Sequence, residues 1–575
     1  MFCYKCGSSM DEDALFCICC GTPIRAKKEQ GETDAQVTES YKQQNTFTQQ
    51  QPFYYQTAYP TYINEPPKPF VSDKKDKLFI LFAALLGFLF CELILFGGLG
   101  ISVPVYVLIF YAFTMFYLRD KEKKPNKASL WLFIPIALIS ICFGLYSNGL
   151  LQFFNVLLLF TLIVLQLSIY AGVTRYPLFS IGTIADFFST SIALPFSNLH
   201  ASFQIMSEKK TDKSKSSTFL KVCIGLVIII PVAAIIISLL DSADLAFDKV
   251  VSGINDVLFN RLGEYVWKII LGVFIGIPLF GGLYALRYKR KHNLDKKVDT
   301  KLPSLIDTII INTALGVIVG IYAIYLLSQI QYFFSGFTSK LPGGFTLAEY
   351  ARKGFFELVA VVVINLALIG IAILIAKKKE GQTKKSVKAF VCAISLFTIL
   401  LISSAISKMV LYVHYFGLTL FRVYAAWFMI LLAIIFIAVL FKLTKDKFKI
   451  VRFICIASLV MYIGLNFVNV DALIPMYNIS MYNNHSLKQL DTEAFTDLSD
   501  SMVPYVLPLL DNSDTKIADG AKAVLKNSRA NIENGKDDKG NYPWQAFNIS
   551  TWQAKTLIEQ NRTRIGEEEP TGYYD

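Results

Sequence analysis

Between residues 78 and 468 the chain carries eleven runs of near-continuous apolar sequence, at about 78–96, 99–118, 130–146, 150–171, 219–240, 266–286, 305–334, 354–376, 389–407, 418–441 and 450–468. A helix rises ~1.5 Å per residue, so about 20 apolar residues cross the ~30 Å hydrocarbon core of a bilayer. The runs match that length. A membrane β-barrel would need alternating strands of about ten residues, and these runs are too long and too uniformly apolar. The chain is 54% hydrophobic and only 17% charged, whereas soluble domains carry about 25% charged residues. A soluble enzyme, a secreted disulfide scaffold and a disordered protein are excluded. The sequence predicts an all-α polytopic membrane protein of about eleven transmembrane helices.

The formal charge of +12 suggests nucleic-acid binding until its placement is examined. Loops 119–129, 172–218, 287–304, 377–388 and 442–449 together hold 27 Lys and Arg residues, while the alternating loops hold 6. Basic residues concentrate on the cytoplasmic side of membrane proteins. The charge is therefore topological, and no nucleic acid is expected as a partner. The N-terminus is expected in the cytoplasm and, after an odd number of spans, the tail from Asn469 outside. Residues 178–199 are apolar but interrupted by Asp186 and Pro195, and read as interfacial helices rather than a span. Residues 241–262 read as an amphipathic surface helix on the outer side.

The ten cysteines follow the same division. Cys3, Cys6, Cys17, Cys19 and Cys20 lie in the leader, and Cys91, Cys142, Cys223, Cys392 and Cys455 within spans. The leader holds two C-x-x-C-G knuckles, Cys3 to Gly7 and, with Cys19 between its thiolates, Cys17 to Gly21. Two such knuckles let four thiolates close on one tetrahedral Zn²⁺, with glycine relieving the backbone past each second thiolate. A unit of this size cannot fold on hydrophobic burial alone. Residues 1–24 are therefore expected to be a structural zinc ribbon, with Cys3, Cys6, Cys17 and Cys20 as ligands. The segment resembles the short zinc ribbons at the N-termini of many bacterial membrane proteins. Residues 25–77, rich in Gln, Tyr and Pro, read as a disordered linker.

Residues 469–575 hold 16 acidic and 10 basic residues. Helical periodicity around Leu487, Leu490, Phe495 and Leu498, and again through 515–530 and 551–565, predicts a helical extracytoplasmic domain. Trp544, Phe547 and Trp552 are expected to seed its core.

Four stretches carry a family likeness: LDSADLAF (240–247), LPGGFTLAEYARKGFFELVAV (341–361), SKMVLYVHYFGLTLFRVYAAWFM (407–429) and NVDALIPMYNI with the following LDTEAFTDLSDSMVPYVLPLL (469–510). Over about residues 78–510 the chain resembles the bacterial polytopic membrane proteins of domain of unknown function family 4173, related to family 4153. It departs from the pattern at His414 and Phe416. The resemblance implies an architecture in the bacterial cytoplasmic membrane and no reaction. All four stretches fall at the predicted outer ends of spans or in outside loops, which gathers Asp244, Glu349, Tyr350, Arg352, Glu357, Tyr412, His414, Arg422, Asp471, Tyr477 and Asn478 into a candidate outer-face site. Glu357 and Arg422, each about one turn inside its span, are expected to pair, since an unpaired charge there is costly. The simpler account is that these charges snorkel to the interface for structural reasons. Glu92 reads as the most isolated intramembrane acid.

No nucleotide-binding loop, nucleophile elbow or paired metal-binding histidine motif is present. The expected function is non-enzymatic sensing or scaffolding, with the zinc ribbon docking a cytoplasmic protein partner. The alternatives are a transporter of a small solute or an outer-leaflet lipid- or glycan-modifying enzyme.

Overall fold

A computed structural model describes residues 71–119, 126–207, 264–290, 308–338, 355–375, 378–379, 382–383, 385–536 and 542–566. The zinc ribbon, residues 25–70 of the linker, the apolar run at 219–240 and the amphipathic segment at 241–262 lie outside these residues. The linker is corrected at its end, where Asp73 caps α1 and Lys74 to Lys77 form its first turn.

The helices are α1 (Lys74–Phe90), α2 (Ser102–Leu118), α3 (Lys127–Trp131), α4 (Phe133–Leu145), α5 (Gly149–Ala171), α6 (Gly182–Phe188), α7 (Leu194–Ser197), α8 (Leu199–Ser207), α9 (Glu264–Arg287) and α10 (Thr308–Thr338). They continue as α11 (Phe355–Ile375), α12 (Lys385–Phe416), α13 (Leu420–Thr444), α14 (Ile450–Phe467) and α15 (Val470–Asn483), followed in the tail by α16 (Val503–Val506), α17 (Thr515–Asn534), α18 (Ile549–Gln560) and α19 (Arg562–Ile565). A two-residue antiparallel ladder pairs Lys378–Lys379 with Gln382–Thr383. Among the described residues eight helices are long and apolar enough to cross a membrane, and two shorter apolar helices, Ser102–Leu118 and Glu357–Ile373, accompany them. Each coincides with one of the apolar runs. The run at 178–199 is instead broken into α6, a π turn over Ser189–Ala193, and α7. Asp186 turns inward to accept the backbone N–H groups of Arg175 and Tyr176, each at 3.0 Å.

Local sequence sets several helix starts. Asp73 and Asp76 form a reciprocal capping box at α1, and Asn148 caps α5 by accepting from Leu151 N–H at 2.9 Å. Such side chains satisfy amide groups that the first turn leaves without partners. Two helices then pack with little between them. On α1, Ala83 and Gly87 meet Gly272 and Gly276 of α9 so closely that a Cβ on Gly87 would fall 2.0 Å from the Gly272 carbonyl oxygen. Small residues four apart allow this backbone approach, and between apolar helices such packing drives association.

Three cores result. The first joins α1, α2, α4, α5, α8 and α9, around Phe79, Ile139, Phe143 and Tyr284. The second joins α10 to α13, around Val391, Ile394 and Phe436. Helix α14 bridges to the first through Leu459, Tyr462 and Ile463. Hydrogen bonds specify both: Asn155 Nδ2 donates to Asn466 Oδ1 at 2.7 Å, and Asn365, which accepts from Tyr322, donates to Thr398 Oγ1 at 2.9 Å. The third core fills the tail. Phe495, Val503, Val506, Leu525, Ala554 and Ile565 pack there against Leu151 of α5, Leu465 of α14 and Ile474 of α15.

Leu487, Leu490, Phe495 and Leu498 are buried as their spacing predicts. Trp544, Phe547 and Trp552 do not seed this core; all three are exposed. Helix α18 turns Ser550, Thr551, Ala554 and Ile558 inward instead, and Ala554 and Ile558 share the tail core with Val503 and Val506.

Candidate functional site

Contacts divide the helix ends into two faces. On the tail side lie the end of α1, the start of α2, the starts of α5, α9 and α13, and the end of α14. The opposite ends form the far side. There Tyr117 closes α2, Arg287 closes α9, and Gly172, just past α5, lies beside Lys289. Lys388 at the start of α12 meets Asp446, just past α13, at 2.8 Å. The Lys- and Arg-rich connections leave from this far side. Helices α5 and α9 both run away from the tail side, so the chain leaves α5 on one face and re-enters α9 from the other.

Of the candidate outer-face residues, Asp244, Glu349, Tyr350 and Arg352 lie outside the described residues. Glu357 stands exposed in the first turn of α11. The remaining ones lie on the tail side, and most fall into two clusters.

The first surrounds the turn between α12 and α13. Gly417 ends α12 with φ of +74°, where a Cβ would also strike Asn478 Oδ1 at 2.7 Å. Asn478 clamps the next residue from α15, accepting from Leu418 N–H at 2.6 Å and donating to the Leu418 carbonyl at 2.9 Å. Arg422 reaches back from α13, donating through Nη1 to the carbonyls of Phe416 at 3.0 Å and Gly417 at 2.5 Å. Its guanidinium lies 4.2 Å from the Tyr412 ring centroid. These carbonyls are left without partners by the helix end, and a cation placed there also answers the helix dipole. Among the described residues Glu357 and Arg422 form no ion pair. The expected pair is corrected on this point: Arg422 finds its partners in backbone carbonyls of its own turn. His414 is exposed and meets the Tyr415 ring edge-on. Tyr477 is half-buried and belongs to neither cluster.

The second cluster centres on Asp471, which is 2% exposed. Its Oδ2 accepts from Asn148 Nδ2 at 2.8 Å and from Ser499 Oγ at 2.5 Å. Asn148 also donates to the Tyr424 hydroxyl at 3.1 Å. One carboxylate thus joins the start of α5, the start of α13, α15 and the tail. Burial pushes the Asp471 carboxyl above its usual range, against the opposing hydrogen bonds from Ser499 and Asn148. Within the tail, Asp500 is raised likewise by burial, against hydrogen bonds from Thr551 and Ser528. A buried carboxylate without a cation favours its neutral form.

Two charged clusters were not anticipated. Glu92 is not isolated: it sits in a π turn over Cys91–Leu95 that ends α1, where Lys268 of α9 donates to it at 2.8 Å and Gln545 of the tail at 3.4 Å. Lys268 is buried, with its ammonium 5.5 Å from the Tyr265 ring centroid and 5.7 Å from that of Phe96. On the far side Asp76 is fully buried. It accepts from Tyr117 and Tyr288, each at 2.7 Å, and from Arg287 Nη1 at 2.8 Å, while Arg287 Nη2 reaches Asp73 at 2.5 Å. The Asp-x-x-Asp pattern ahead of the first apolar run was the available signal for the cap. Nothing in sequence order tied it to Arg287.

The four described cysteines, Cys91, Cys142, Cys392 and Cys455, are unpaired thiols within helices. No curated protein and no solved structure matches the chain. A family model does match, over residues 133–509, and its span runs from the start of α4 to the helices that surround Asp471 and Asn478. The chain belongs to the family described as Domain of unknown function (DUF4153).

Proposed function

We propose that this is a non-enzymatic multi-pass membrane protein that senses or scaffolds, relaying between an extracytoplasmic tail and a cytoplasmic docking module. One observation carries the reading: the tail shares its apolar core with α5, α14 and α15, and the hydrogen bonds around Asp471 join the tail to α15, to the start of α5 and, through Asn148, to α13. A load or ligand on the tail therefore bears directly on helix ends. Coupling of this kind needs an element that both sites bias, and the joint at Asp471 is the candidate.

In this reading the chain crosses a bacterial cytoplasmic membrane eleven times, with the N-terminus inside and the tail outside. A crossing at 219–240 supplies the return between α5 and α9, and the basic far-side loops suit a cytoplasmic face. A likeness to family 4173 is kept in this reading, resting on the stretches at 240–247, 341–361, 407–429 and 469–510. The ribbon, with one structural Zn²⁺ on Cys3, Cys6, Cys17 and Cys20, sits on a polar linker of about 50 residues, and a tethered module meets its partner at high effective concentration.

The test is a crosslinking pulldown from cells expressing the intact chain, a chain lacking residues 1–24, and Cys6→Ser. A specific protein captured by the intact chain and lost from both variants is the expected result. An identical set of partners from all three would overturn the docking role.

A further inference from the structure

The tail carries apolar side chains that its own core does not use. Trp544 is 55% exposed, Ile549 49%, Trp552 57% and Phe547 37%. Isolated exposed apolar residues are ordinary on a protein surface, but a cluster of this size marks an interaction surface. What sets its partner is its height on the molecule.

Segment 544–552 is fastened to the tail-side ends of the membrane helices. Phe547 accepts through its carbonyl from Ile101 N–H at 2.8 Å, at the start of α2. Gln545 lies against Gly97 and donates to Glu92 at 3.4 Å. A Cβ on Gly100 would fall 2.4 Å from the Ala546 carbonyl carbon, so the two backbones touch. Ser550 Oγ lies 3.4 Å from Ser147 Oγ, between α4 and α5. These contacts fix the segment at the level where the apolar helices begin and end. Other exposed aromatic residues sit at the same level: Tyr265 and Trp267 open α9, and Phe96 follows α1. Tryptophan and tyrosine collect at this depth because their rings favour the headgroup layer and their polar atoms remain wet.

We propose that Trp544, Phe547, Ile549 and Trp552 are a membrane-interface anchor, by which the tail lies in the headgroup layer of the same bilayer its helices cross. The occupant of this surface is lipid, continuous with the lipid that surrounds α1, α2 and α9. The anchor holds the tail against the helix ends from the lipid side while the Asp471 joint holds it from the protein side. The proposal stands whether or not the tail relays a signal.

The experiment uses the full chain in nanodiscs, in two single-tryptophan variants that keep Trp544 or Trp552 and replace Trp131, Trp267, Trp427 and the other tail tryptophan by Phe. Fluorescence is read with lipids brominated near the headgroup, with lipids brominated near the chain ends, and with aqueous iodide. The expected result is at least twofold stronger quenching by the shallow bromolipid than by the deep one, together with weak iodide quenching. Strong iodide quenching without bromolipid quenching would place the patch in water and overturn the anchor. Protection from both quenchers would mean that a protein surface covers it, a second copy included, and would overturn it equally. A headgroup-diazirine lipid applied to the unsubstituted chain is an independent check, since it needs no variant to fold. Adducts in the peptide holding Trp544 to Trp552 are expected, and their absence while Tyr265–Trp267 is labelled would sink the proposal.

Discussion

Arg287 at the end of α9 donates to Asp76 at the start of α1 at 2.8 Å, and the carboxylate it meets has no exposed surface. The pair locks the far-side ends of two helices whose middles already touch backbone to backbone at Gly87 and Gly272. Removing one member of a buried pair strands the other, at a cost of about 3–5 kcal/mol. Arg287→Met should therefore lower thermal stability in detergent sharply. Asp76→Asn keeps one acceptor oxygen, and the amide can donate to the second tyrosine hydroxyl if that hydroxyl turns, so it should cost less than a variant that removes both polar atoms. The two together should lose clearly less than the sum of the single losses, and strict additivity would show that the pair carries no coupling.

Acid should strengthen the tail rather than weaken it. Asp471 and Asp500 are both raised by burial, so the native tail binds protons more readily than the unfolded chain. Stability at these two sites is then greatest where both states are protonated. It falls as pH rises from the ordinary carboxylate value of about 3.9 through the raised native values, and levels off above them. The check is native-state hydrogen exchange of α17 and α18 followed upward from the ordinary carboxylate value of about 3.9, corrected for intrinsic exchange. Protection should decline with rising pH, and Asp471→Asn should flatten part of that slope. A profile that rises with pH would contradict the raised carboxyls.

The helices were legible in the sequence because a bilayer imposes one length and one composition on every span, and ten of the apolar runs coincide with described helices. Leu487, Leu490, Phe495 and Leu498 were legible for a related reason: helical spacing states which face is buried. Trp544 and Trp552 were misread because large aromatic residues suit a soluble core and a membrane interface equally well. What bears on the choice is the segment between them, since Gln545, Ala546 and Phe547 contact Gly97, Gly100 and Ile101. Asp471 and Asn478 were found through motif position, but their partners were not. Asn148 lies 323 residues from Asp471, and no local pattern announces a contact at that distance. Glu92 looked solitary because its partner Lys268 lies 176 residues later in the chain.

Arg422 is bound to the turn beside it, which gives a double-mutant cycle a definite outcome. In Glu357→Gln, Arg422→Met and their combination, the coupling energy should be indistinguishable from zero. Arg422→Met alone should cost about 1–3 kcal/mol, since it removes a charged donor from two carbonyls and a cation from the Tyr412 ring. Arg422→Lys should recover only part of this, because a compact ammonium cannot both stack on the ring and fork to the carbonyls. A coupling above about 1 kcal/mol would restore the pair that the sequence suggested and demand a different position for Arg422.

Membrane orientation is the prediction with the widest reach, because it assigns every site to a compartment. The Lys388–Asp446 contact places the start of α12 and the end of α13 together on the far side. The cluster around Asp471 and the whole of α18 belong to the tail side. Basic connections on the far side lead us to expect that face in the cytoplasm under the positive-inside bias. Lys447 and Thr556 are both exposed, so single cysteines introduced there test the assignment without disturbing a core. In intact cells, within a background lacking other accessible cysteines, a membrane-impermeant maleimide should label Thr556→Cys and leave Lys447→Cys unmodified until the membrane is opened. The reverse pattern would invert the orientation and move the Asp471 joint into the cytoplasm. Labelling of both in intact cells would mean that the two faces are not separated by a bilayer, and the span assignment itself would fail.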